Sequence, residues 1–471
     1  MQKYNKFEND IRQAKKQFFS FISYLCIMIK DISVMGKNTP ENIQPAIDIL
    51  TKYTDSKLLT HLNACVHCGL CETSCLFWLT DQDPRHIPAR KVDIVASVYR
   101  RYCTFTGKAA PKLFNARELN DETIAEMTDL LFGACSMCGR CVKHCSIGVD
   151  IAFVVKTGRR MLAAMGYVPA TLQATVDAAV QTGNNMGIEE SEFIDTIQWM
   201  EEELQDEMNG DVNARIPLNE QDKEFLYTLN PREAKFFPLS IAAAAKIFYA
   251  AKADWTLSSK MYDVTNYGYF SGNDAEARLI AQHMFDEVKR VNAKTLVLGE
   301  CGHGTRALRW EAPNYVKQHP DFNMITLVEL LEQYIKSGKI KLDKNLNNKK
   351  YTIHDPCNIT RNGGLFRTLR FVVNEAVPEL IEMNPTGNDN FCCGGGGGLL
   401  AMSEYNERRL LAGKIKADQI KATGADVVIT PCHNCVDQLM QLNHTYQLNV
   451  EIKSVAEIVA DALVIEPVSS I

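Results

Sequence analysis

Two cysteine runs with the same spacing carry the clearest chemistry in this sequence. Each reads Cys-x2-Cys-x2-Cys-x3-Cys, and the eight residues are Cys65, Cys68, Cys71, Cys75, Cys135, Cys138, Cys141 and Cys145. Three thiolates at this spacing wrap one iron-sulfur cube, and the fourth cysteine of each run reaches the other cluster. The spacing therefore predicts two cubane [4Fe-4S] clusters with crossed ligands. The two ligand sets are Cys65, Cys68, Cys71 and Cys145, and Cys135, Cys138, Cys141 and Cys75.

Zinc is the alternative metal for such cysteines. A structural zinc site uses separated pairs that close one tetrahedron, which gives no reason for eight cysteines in two identical runs. Leu76 and Ser146 stand where bacterial ferredoxins have proline after the last cysteine, a difference that concerns the loop rather than ligation. Because each cubane carries one electron, this part of the chain is predicted to transfer electrons.

A second constellation lies near the carboxyl end and contains five cysteines. They are Cys357 in His-Asp-Pro-Cys, Cys392 and Cys393 in Cys-Cys-Gly, and Cys432 and Cys435 in Cys-x2-Cys. Five thiolates exceed what a cubane needs. The glycine run 394–398 lets the backbone approach sulfide closely, because no side chain intervenes. It is not a phosphate loop, since no Gly-Lys-Ser/Thr follows. A structural zinc or a disulfide is the competing interpretation.

The surrounding pattern predicts which elements hold these cysteines. Apolar residues keep helical spacing around both runs, whereas β-rich stretches such as Thr295–Leu298 and Asp426–Thr430 alternate with helices from about residue 235. We expect an α+β multidomain protein. Its divisions are a helical arm (1–55), a helical domain for two [4Fe-4S] clusters (56–165), an acidic helical connector (166–232), a degenerate cysteine-rich half-domain (233–345) and an intact one (346–471).

The α/β region repeats itself at a spacing near 130 residues. The stretch 286–301 matches 418–432, and 326–331 matches 454–459, which indicates a duplicated half-domain. In the first copy, Phe237-Pro238-Leu239 is expected to replace Asp355-Pro356-Cys357, and Ser258-Ser259 to lie near the position of the paired cysteines. Of the five cysteines of the intact copy, the first copy keeps only one, Cys301.

Cys301 therefore has three interpretations. Across a pseudo-twofold interface it would be an extra ligand or a redox thiol beside the intact cluster; otherwise it is a buried relic. Cys26 and Cys103 fit no pattern and are predicted to be buried thiols. The histidines that flank cluster cysteines, His303, His354 and His433, are candidate proton donors near neutral pH.

Composition and charge exclude other classes. With 46% hydrophobic and 23% charged residues the chain is globular, and the absence of a signal peptide favours metal sites in a reducing cytoplasm over disulfides. The segment 187–211 carries ten acidic and no basic residues, so without it the net charge of −6 becomes +4. That segment is a solvated helix face or an acidic docking surface. Nothing is basic enough to predict nucleic-acid binding.

The arm 1–55 has apolar residues at helical spacing from Phe18 to Ile29, too few to span a bilayer. It either packs on its own domain or contacts a membrane interface or a membrane subunit. No Gly-x-Gly-x-x-Gly motif stands between a strand and a helix, so this chain is predicted to bind neither flavin nor NAD.

At the five-cysteine constellation the sequence closely resembles the cysteine-rich (CCG) domain of heterodisulfide reductase catalytic subunits. The resemblance implies a noncubane [4Fe-4S] cluster held by all five cysteines, with Cys301 as a further candidate, and an oxidoreductase that acts on sulfur groups. The order of domains and the motifs Pro-Ala-Arg (88–90), Tyr-Arg-Arg (99–101), Glu-Cys-Gly-His and His-Asp-Pro-Cys-Asn are most similar to the cytoplasmic catalytic subunit of the membrane sulfite-reduction-associated electron-transfer complex.

That similarity implies a function and partners. Electrons would pass between a quinone-linked haem subunit in the membrane and a disulfide or trisulfide on a small sulfur-carrier protein, in dissimilatory sulfur metabolism. The chain would lie in the cytoplasm, peripheral on the cytoplasmic face of the inner membrane. Arg361, Arg367 and Arg370 would frame the docking groove or form a solvated helix face. The alternative is an electron-relay subunit of a flavin-dependent glycolate, lactate or glycerol-3-phosphate dehydrogenase.

Overall fold

The computed structural model describes residues 40–316 and 320–465. Most of the predicted arm, including the apolar residues from Phe18 to Ile29 and Cys26, lies outside the described residues. The described end of the arm is helix α1 (Pro40–Tyr53). Within the two described ranges, no helix is long and apolar enough to cross a membrane.

The amino-terminal part is helical, as its apolar spacing predicts. Helices α2 to α10 follow in order: Ser56–Ala64, Leu76–Asp81, Pro88–Cys103, Phe105–Ala109, Asp121–Thr128, Arg140–Lys143, Ile151–Ala164, Ala170–Thr182 and Glu190–Glu207. Local sequence sets several of the starts. Asp55 accepts a hydrogen bond from the Leu58 N–H at 2.8 Å and so caps α2, whereas Pro88 fits the first position of α4 because that position needs no N–H donor.

Two four-stranded parallel sheets form the rest of the molecule. The first contains β1 to β4, in order Phe225–Tyr227, Trp255–Thr256, Thr295–Leu298 and Asn323–Thr326; the second contains β5 to β8, in order Tyr351–Ile353, Leu380–Ile381, Val427–Ile429 and Glu451–Lys453. Their spatial orders are β2-β1-β3-β4 and β6-β5-β7-β8. Because the two orders are the same, the predicted duplicated α/β architecture is confirmed.

Helices connect the strands in both halves, as parallel pairing requires. Helices α11 to α16 are Pro231–Phe236, Leu239–Ala250, Tyr267–Ser271, Asp274–Arg290, Gly302–Gly304 and Leu327–Ser337. Helices α17 to α21 are Phe366–Ala376, Asn406–Ala412, Lys414–Thr423, His433–Tyr446 and Val455–Asp461. Helix α12 packs on α21 and α16 on α17, so the halves share one apolar core that includes Leu331, Val373 and Val459.

The last helix of each half begins with the same capping box. Thr326 and Glu329 cap α16 reciprocally, and Ser454 and Glu457 cap α21 in the same way. These four residues belong to the predicted repeat of 326–331 and 454–459. The repeat therefore encodes equivalent local structure in the two halves.

The predicted alignment of the degenerate half is wrong in its first part. Strand β1 lies in the stretch predicted as a connector, and its place in the sheet makes it the counterpart of β5. The chain that leaves β1 is Asn230-Pro231-Arg232, so this tripeptide corresponds to Asp355-Pro356-Cys357. Residues 237 and 238 instead join α11 to α12, and Leu239 begins α12. The prediction missed β1 because a short strand after an acidic segment gives little periodic signal.

The predicted place of Ser258 and Ser259 is also wrong. Ser258 accepts hydrogen bonds from the next turn, at 3.1 Å from the Lys260 N–H, and Ser259 donates to Glu190 at 2.5 Å. Both serines follow β2 directly, whereas the paired cysteines stand well beyond β6. Thr265, further along the chain, is the residue of this loop that reaches Cys301.

Candidate metal centres

The first set of four cysteines, called group A, comprises Cys65, Cys68, Cys71 and Cys145. Cys65 ends α2, and Cys145 lies in the loop after α7. Burial raises the pKa of the Cys65 and Cys71 thiols, and the nearby Cys145 thiol raises both further. Cys68 is exposed. The fold thus brings the last cysteine of the second run to the first three of the first run, as the crossed assignment expects.

The second set, called group B, comprises Cys75, Cys135, Cys138 and Cys141, which line one cavity. The Met137 N–H donates to the Cys135 sulfur at 3.4 Å, and the buried Lys91 also lines the cavity. Burial raises the pKa of Cys135 and Cys141. Four convergent soft thiols beside N–H donors suit an iron-sulfur cube, so the residues present fit this cofactor.

The two runs share a backbone conformation between their first and second cysteines. The residue two after the first cysteine has positive φ, 55° at His67 and 51° at Met137. The residue after the second cysteine is a glycine at φ 82° in the first run and 73° in the second, Gly69 and Gly139. Left-handed conformations at non-glycine residues cost energy and persist where the surroundings require them. The identical spacing therefore produces the same turn at the start of both ligand loops, after which the first continues as a 3-10 turn (Glu72–Ser74) and the second as helix α7.

The third set, called group C, comprises Cys357, Cys392, Cys393, Cys432 and Cys435. These residues follow β5, β6 and β7, and the carboxyl ends of parallel strands meet at one edge of a sheet. All five are buried, and Cys393 and Cys435 are 3.5 Å apart at sulfur. The Gly302 N–H from the degenerate half donates to Cys432 at 3.2 Å. Five soft donors around one cavity exceed the needs of zinc and fit a larger iron-sulfur cluster.

Group C lies against group B. The Cys138 thiol of group B interacts directly with the Cys392 sulfur of group C, and each changes the pKa of the other. Arg361 spans the same contact, because its Nη1 donates to the Cys138 carbonyl at 2.8 Å and its Nε to the Asn388 carbonyl at 2.7 Å. The structure therefore places group C in direct contact with group B.

The glycine run makes this contact close. A Cβ at Gly396 or Gly397 would lie 2.9 or 2.8 Å from the backbone of Ser136, which sits between two group B cysteines. Gly397 and Gly398 also have positive φ, 65° and 90°. The sequence predicted a close backbone approach to sulfide; the approach seen here is to the neighbouring ligand loop.

Cys301 lies three residues after the end of β3, and Cys432 lies three residues after the end of β7, so the two cysteines occupy equivalent positions. Its sulfur accepts hydrogen bonds from Asn230 at 3.4 Å and from the Gly304 N–H at 3.3 Å, and burial raises its pKa to about 12. The walls of the group C cavity include Gly302 but not Cys301. Cys301 is thus a buried thiol immediately behind that wall, and its redox role stays a prediction.

The three histidines differ in what they can donate. Burial lowers the pKa of His303 to about 3 and that of His354 well below its usual range, so both are neutral at pH 7. Burial acts in the same direction on His433, but Glu233 at 3.2 Å and the nearby Glu300 raise its pKa to about 9. Of these three, His433 alone therefore holds a proton at neutral pH, and its charge lies beside the Glu233 carboxylate.

The His354 ring has a further feature. Its Nε2 is buried and has no hydrogen-bond partner in the described part of the chain. One ring nitrogen of His354 and the sulfurs of Cys393 and Cys435 lie within 4.8 Å of one another. An unpartnered buried nitrogen is costly, so it marks a place where a bound group would supply the missing contact.

The three predicted arginines do not frame a groove together, because only Arg361 of the three lines a cavity in the described part of the chain. Arg370 is buried and forms a bidentate pair with Asp355 at 2.8 Å, with Glu382 on its other side. Arg361 points at backbone carbonyls, as described above. Arg367 alone of the three is exposed. The prediction was wrong for Arg370 because the local sequence does not reveal its two carboxylate partners, Asp355 after β5 and Glu382 after β6.

Arg159 is an important residue that the sequence interpretation missed. It is fully buried, and its guanidinium donates to the carbonyls of Leu131 (2.9 Å), Cys135 (2.9 Å), Phe270 (2.7 Å) and Gly397 (2.7 Å). These carbonyls belong to the helical part, group B, the degenerate half and the glycine run. Burial lowers its pKa to about 10, so it stays charged. The sequence signal that could have identified Arg159 is a basic residue on the apolar face of α8.

Lys416 is the second missed residue. Its ammonium is buried, donates to Asn390 and contacts the Met383 sulfur at 3.5 Å. Burial lowers its pKa to about 7, whereas the thiols of Cys392 and Cys393 oppose this shift. A buried ammonium near group C therefore offsets part of the negative charge that thiolates would carry there.

Comparisons with known proteins match two segments of this chain to families of cysteine-bearing domains. Residues 61–149 match the family described as "4Fe-4S dicluster domain", and residues 351–440 match the family described as "Cysteine-rich domain". "Hdr-like menaquinol oxidoreductase iron-sulfur subunit 2" of Archaeoglobus fulgidus is 26% identical over 90% of this chain and 84% of that protein.

Two other relatives have similar coverage of this chain. One subunit of the dihydromethanophenazine:CoB--CoM heterodisulfide reductase of Methanosarcina barkeri is 25% identical over 91% of this chain and 99% of that protein. "EtfAB:quinone oxidoreductase" of Syntrophomonas wolfei is 23% identical over 90% of this chain and 61% of that protein. The Archaeoglobus and Methanosarcina proteins are matched over most of both chains, so the similarity covers both cysteine-bearing parts.

Proposed function

We propose, from the premise that this chain is a heterodisulfide reductase-like iron-sulfur protein, that it passes electrons between a quinone-linked membrane partner and a sulfur–sulfur bond at group C. The bond would be a disulfide or trisulfide on a small sulfur-carrier protein in dissimilatory sulfur metabolism. The chain would act on the cytoplasmic face of the membrane, in a complex with a haem-bearing subunit. The observation that carries this proposal is the contact between Cys138 and Cys392, which joins groups B and C.

Iron-sulfur clusters held by these cysteines, two cubanes at groups A and B and a noncubane at group C, would supply one-electron transfer and an iron atom that binds sulfur. Cleavage of a disulfide takes two electrons and two protons and gives two thiols. Group C must therefore hold a half-reduced substrate between two deliveries. Five thiols, the Lys416 ammonium and the unpartnered His354 nitrogen surround the place where this would happen.

The substrate has one favourable direction of approach. Asn358, the residue after Cys357, lines both the group C cavity and a neighbouring cavity of about 510 Å³. Six basic residues line this larger cavity: Lys57, Lys143, Lys156, Arg160, Arg306 and Arg361. Asp150 and Glu311 are the acidic residues on its wall. Four of the six cations are paired with carboxylates: Lys143 with Asp389, Lys156 and Arg160 with Asp274, and Arg306 with Glu311. The charge that favours a substrate arm with acidic groups therefore comes mainly from Lys57 and Arg361.

The experiment that tests this function uses anaerobically purified, chemically reduced protein. It is mixed with an oxidised sulfur carrier, and the release of thiol and the paramagnetic signals are followed. We expect thiol release by the wild type and by Cys103→Ser, which lies outside the three groups, and none by Cys357→Ser. If no thiol appears while electrons pass freely to a flavin dehydrogenase, the relay alternative replaces this proposal.

A further inference from the structure

A second surface has features that electron transfer does not explain. Helix α4 ends at Cys103, and the chain then forms a projecting segment, residues 104–115, which we call the basic tip. Three of its large apolar side chains face solvent: Phe105 is 85% exposed, Leu113 80% and Phe114 39%. Large apolar side chains grouped in one exposed segment mark an interaction site more often than a lone exposed leucine does.

Regular hydrogen bonds hold the basic tip in this conformation. Thr104 caps α5 by accepting from the Gly107 N–H at 3.1 Å, and the Ala116 N–H donates to the Pro111 carbonyl at 2.8 Å. The Leu113 N–H closes the intervening turn on Ala110 at 3.1 Å. The backbone hydrogen bonds therefore fold this segment into a turn. The exposed apolar side chains belong to that folded turn.

The charge of this segment is one-sided. Residues 98–117 contain five basic and no acidic residues, in a chain whose net charge is −6. Arg101 and Arg117 pair with Glu118 and Glu126, each at 2.6 Å. Lys108 and Lys112 are exposed, and no acidic side chain of the described residues pairs with either. Two free ammonium groups thus stand beside the exposed rings.

We propose that the basic tip binds the surface of an anionic lipid bilayer, with Phe105, Leu113 and Phe114 in the interface and Lys108 and Lys112 against the lipid phosphates. Apolar side chains beside unpaired lysines are the composition of interfacial membrane anchors, because burial of the rings and attraction to anionic lipid act together. A segment this short lies on the bilayer and does not cross it.

Helix α4 also connects the basic tip to group A. Helix α4 starts beside group A, where the Ala89 N–H is hydrogen-bonded to the Cys71 sulfur, and it ends at the basic tip. At 1.5 Å per residue its length is about 24 Å. The inference goes beyond the proposed function, since lipid binding does not depend on the reaction at group C.

Vesicle binding by the full, cluster-loaded chain tests the inference. The probes are vesicles of phosphatidylcholine, with and without phosphatidylglycerol, and the readout is the bound fraction after sedimentation. We expect binding only to the anionic vesicles, and weaker binding at higher salt. Phe105→Ser/Leu113→Ser and, separately, Lys108→Gln/Lys112→Gln should each lower the partition coefficient about tenfold.

The matched control is Val212→Ser/Leu346→Ser, which removes apolar side chains that are 72% and 55% exposed elsewhere. It should bind as the wild type does. Iron content and thermal unfolding of every variant establish that it is folded. Vesicle binding that both tip variants retain overturns the proposal. So does a wild type that ignores vesicles while its tip variants lose association with a membrane protein, because the partner would then be protein.

Discussion

At the scale of single residues, buried cations organise this protein. Arg159 satisfies carbonyls that lie between 24 and 238 residues away along the chain, and Lys156 lies over the Tyr269 ring at 3.2 Å with Asp274 at 3.5 Å. Buried charges persist only where such partners compensate the loss of water. These side chains therefore fix how the helical part meets the two sheets, which in turn fixes where group B meets group C.

Replacement of Arg159 should loosen that junction. Arg159→Met leaves four buried carbonyls without a donor, so we expect a loss of about 3 kcal/mol or more in the free energy of unfolding. Arg159→Lys keeps the charge but cannot reach all four carbonyls, and should recover only part of the loss. Thermal unfolding of the cluster-loaded protein measures both. Arg90→Met, at an exposed ion pair, is the control; an Arg159→Met protein as stable as this control would contradict the account.

Lys156 should make stability depend on pH in a defined direction. Burial lowers its pKa from 10.5 to about 7, so between these values the unfolded chain binds more protons than the folded one. Its contribution to stability is lost as pH falls toward 7 and recovers toward 10.5, by at most about 1.4 kcal/mol per pH unit. The stability difference between wild type and Lys156→Met should rise with pH over this window. A difference that stays constant from pH 7 to 10 would refute the burial argument.

At the scale of elements, the glycine run and the ligand loop of group B form one joint. The backbone of Gly397 approaches Ser136 so closely that a Cβ would lie 2.8 Å away. Gly364 offers a matched comparison, since its φ of 77° resembles the 65° of Gly397 but a Cβ there would meet nothing within 4 Å. The two positions separate backbone strain from steric conflict.

Gly397→Ala should therefore cost more than Gly364→Ala. Both substitutions impose the strain of a left-handed residue, about 1 kcal/mol, and the first adds an overlap of about 1–3 kcal/mol. We also expect Gly397→Ala alone to change the paramagnetic signal of group C. Thermal unfolding and that signal together measure the effect. Equal losses for the two variants would mean that the joint is not tight.

The sequence predicted features whose signal is local and missed those that depend on contacts between distant elements. Groups A and B were predictable because the ligand spacing within each cysteine run is local, whereas group C was expected from the resemblance to the cysteine-rich (CCG) domain. The capping residues Thr326 and Ser454 lie in a visible repeat. The counterpart of Cys357 was misplaced because β1 has only three residues. The partners of Arg361 and Arg370 were missed because they come from other strands and loops, which no local pattern encodes.

At the scale of the whole molecule, duplication gave two equivalent half-sheets of which one keeps its cysteines. The degenerate half still contributes, since its Gly302 N–H binds the Cys432 sulfur and its Glu300 carbonyl binds the His433 N–H at 2.8 Å. It acts as the wall of group C, while the helical part carries groups A and B and brings group B against that site.

Metal content should reflect three occupied groups. Two cubanes and one four-iron noncubane cluster predict about twelve irons per chain after anaerobic purification. Cys392→Ser should reduce this value to about eight and remove one class of signal, whereas Cys103→Ser should leave twelve. A wild-type value near eight, with the Cys392→Ser protein spectroscopically unchanged, would eliminate the third cluster.

The central claim is that electrons leave the protein at group C and arrive there through group B. Freeze-quenched paramagnetic spectra of the fully reduced protein, taken at intervals after addition of the oxidised sulfur carrier, test it most directly. We predict that the group C signal changes first, that the cubane signals decay afterwards, and that two thiols form for every two electrons lost. Oxidation of the cubanes with the group C signal unchanged, or thiol formation at the same rate in Cys357→Ser, would contradict the claim.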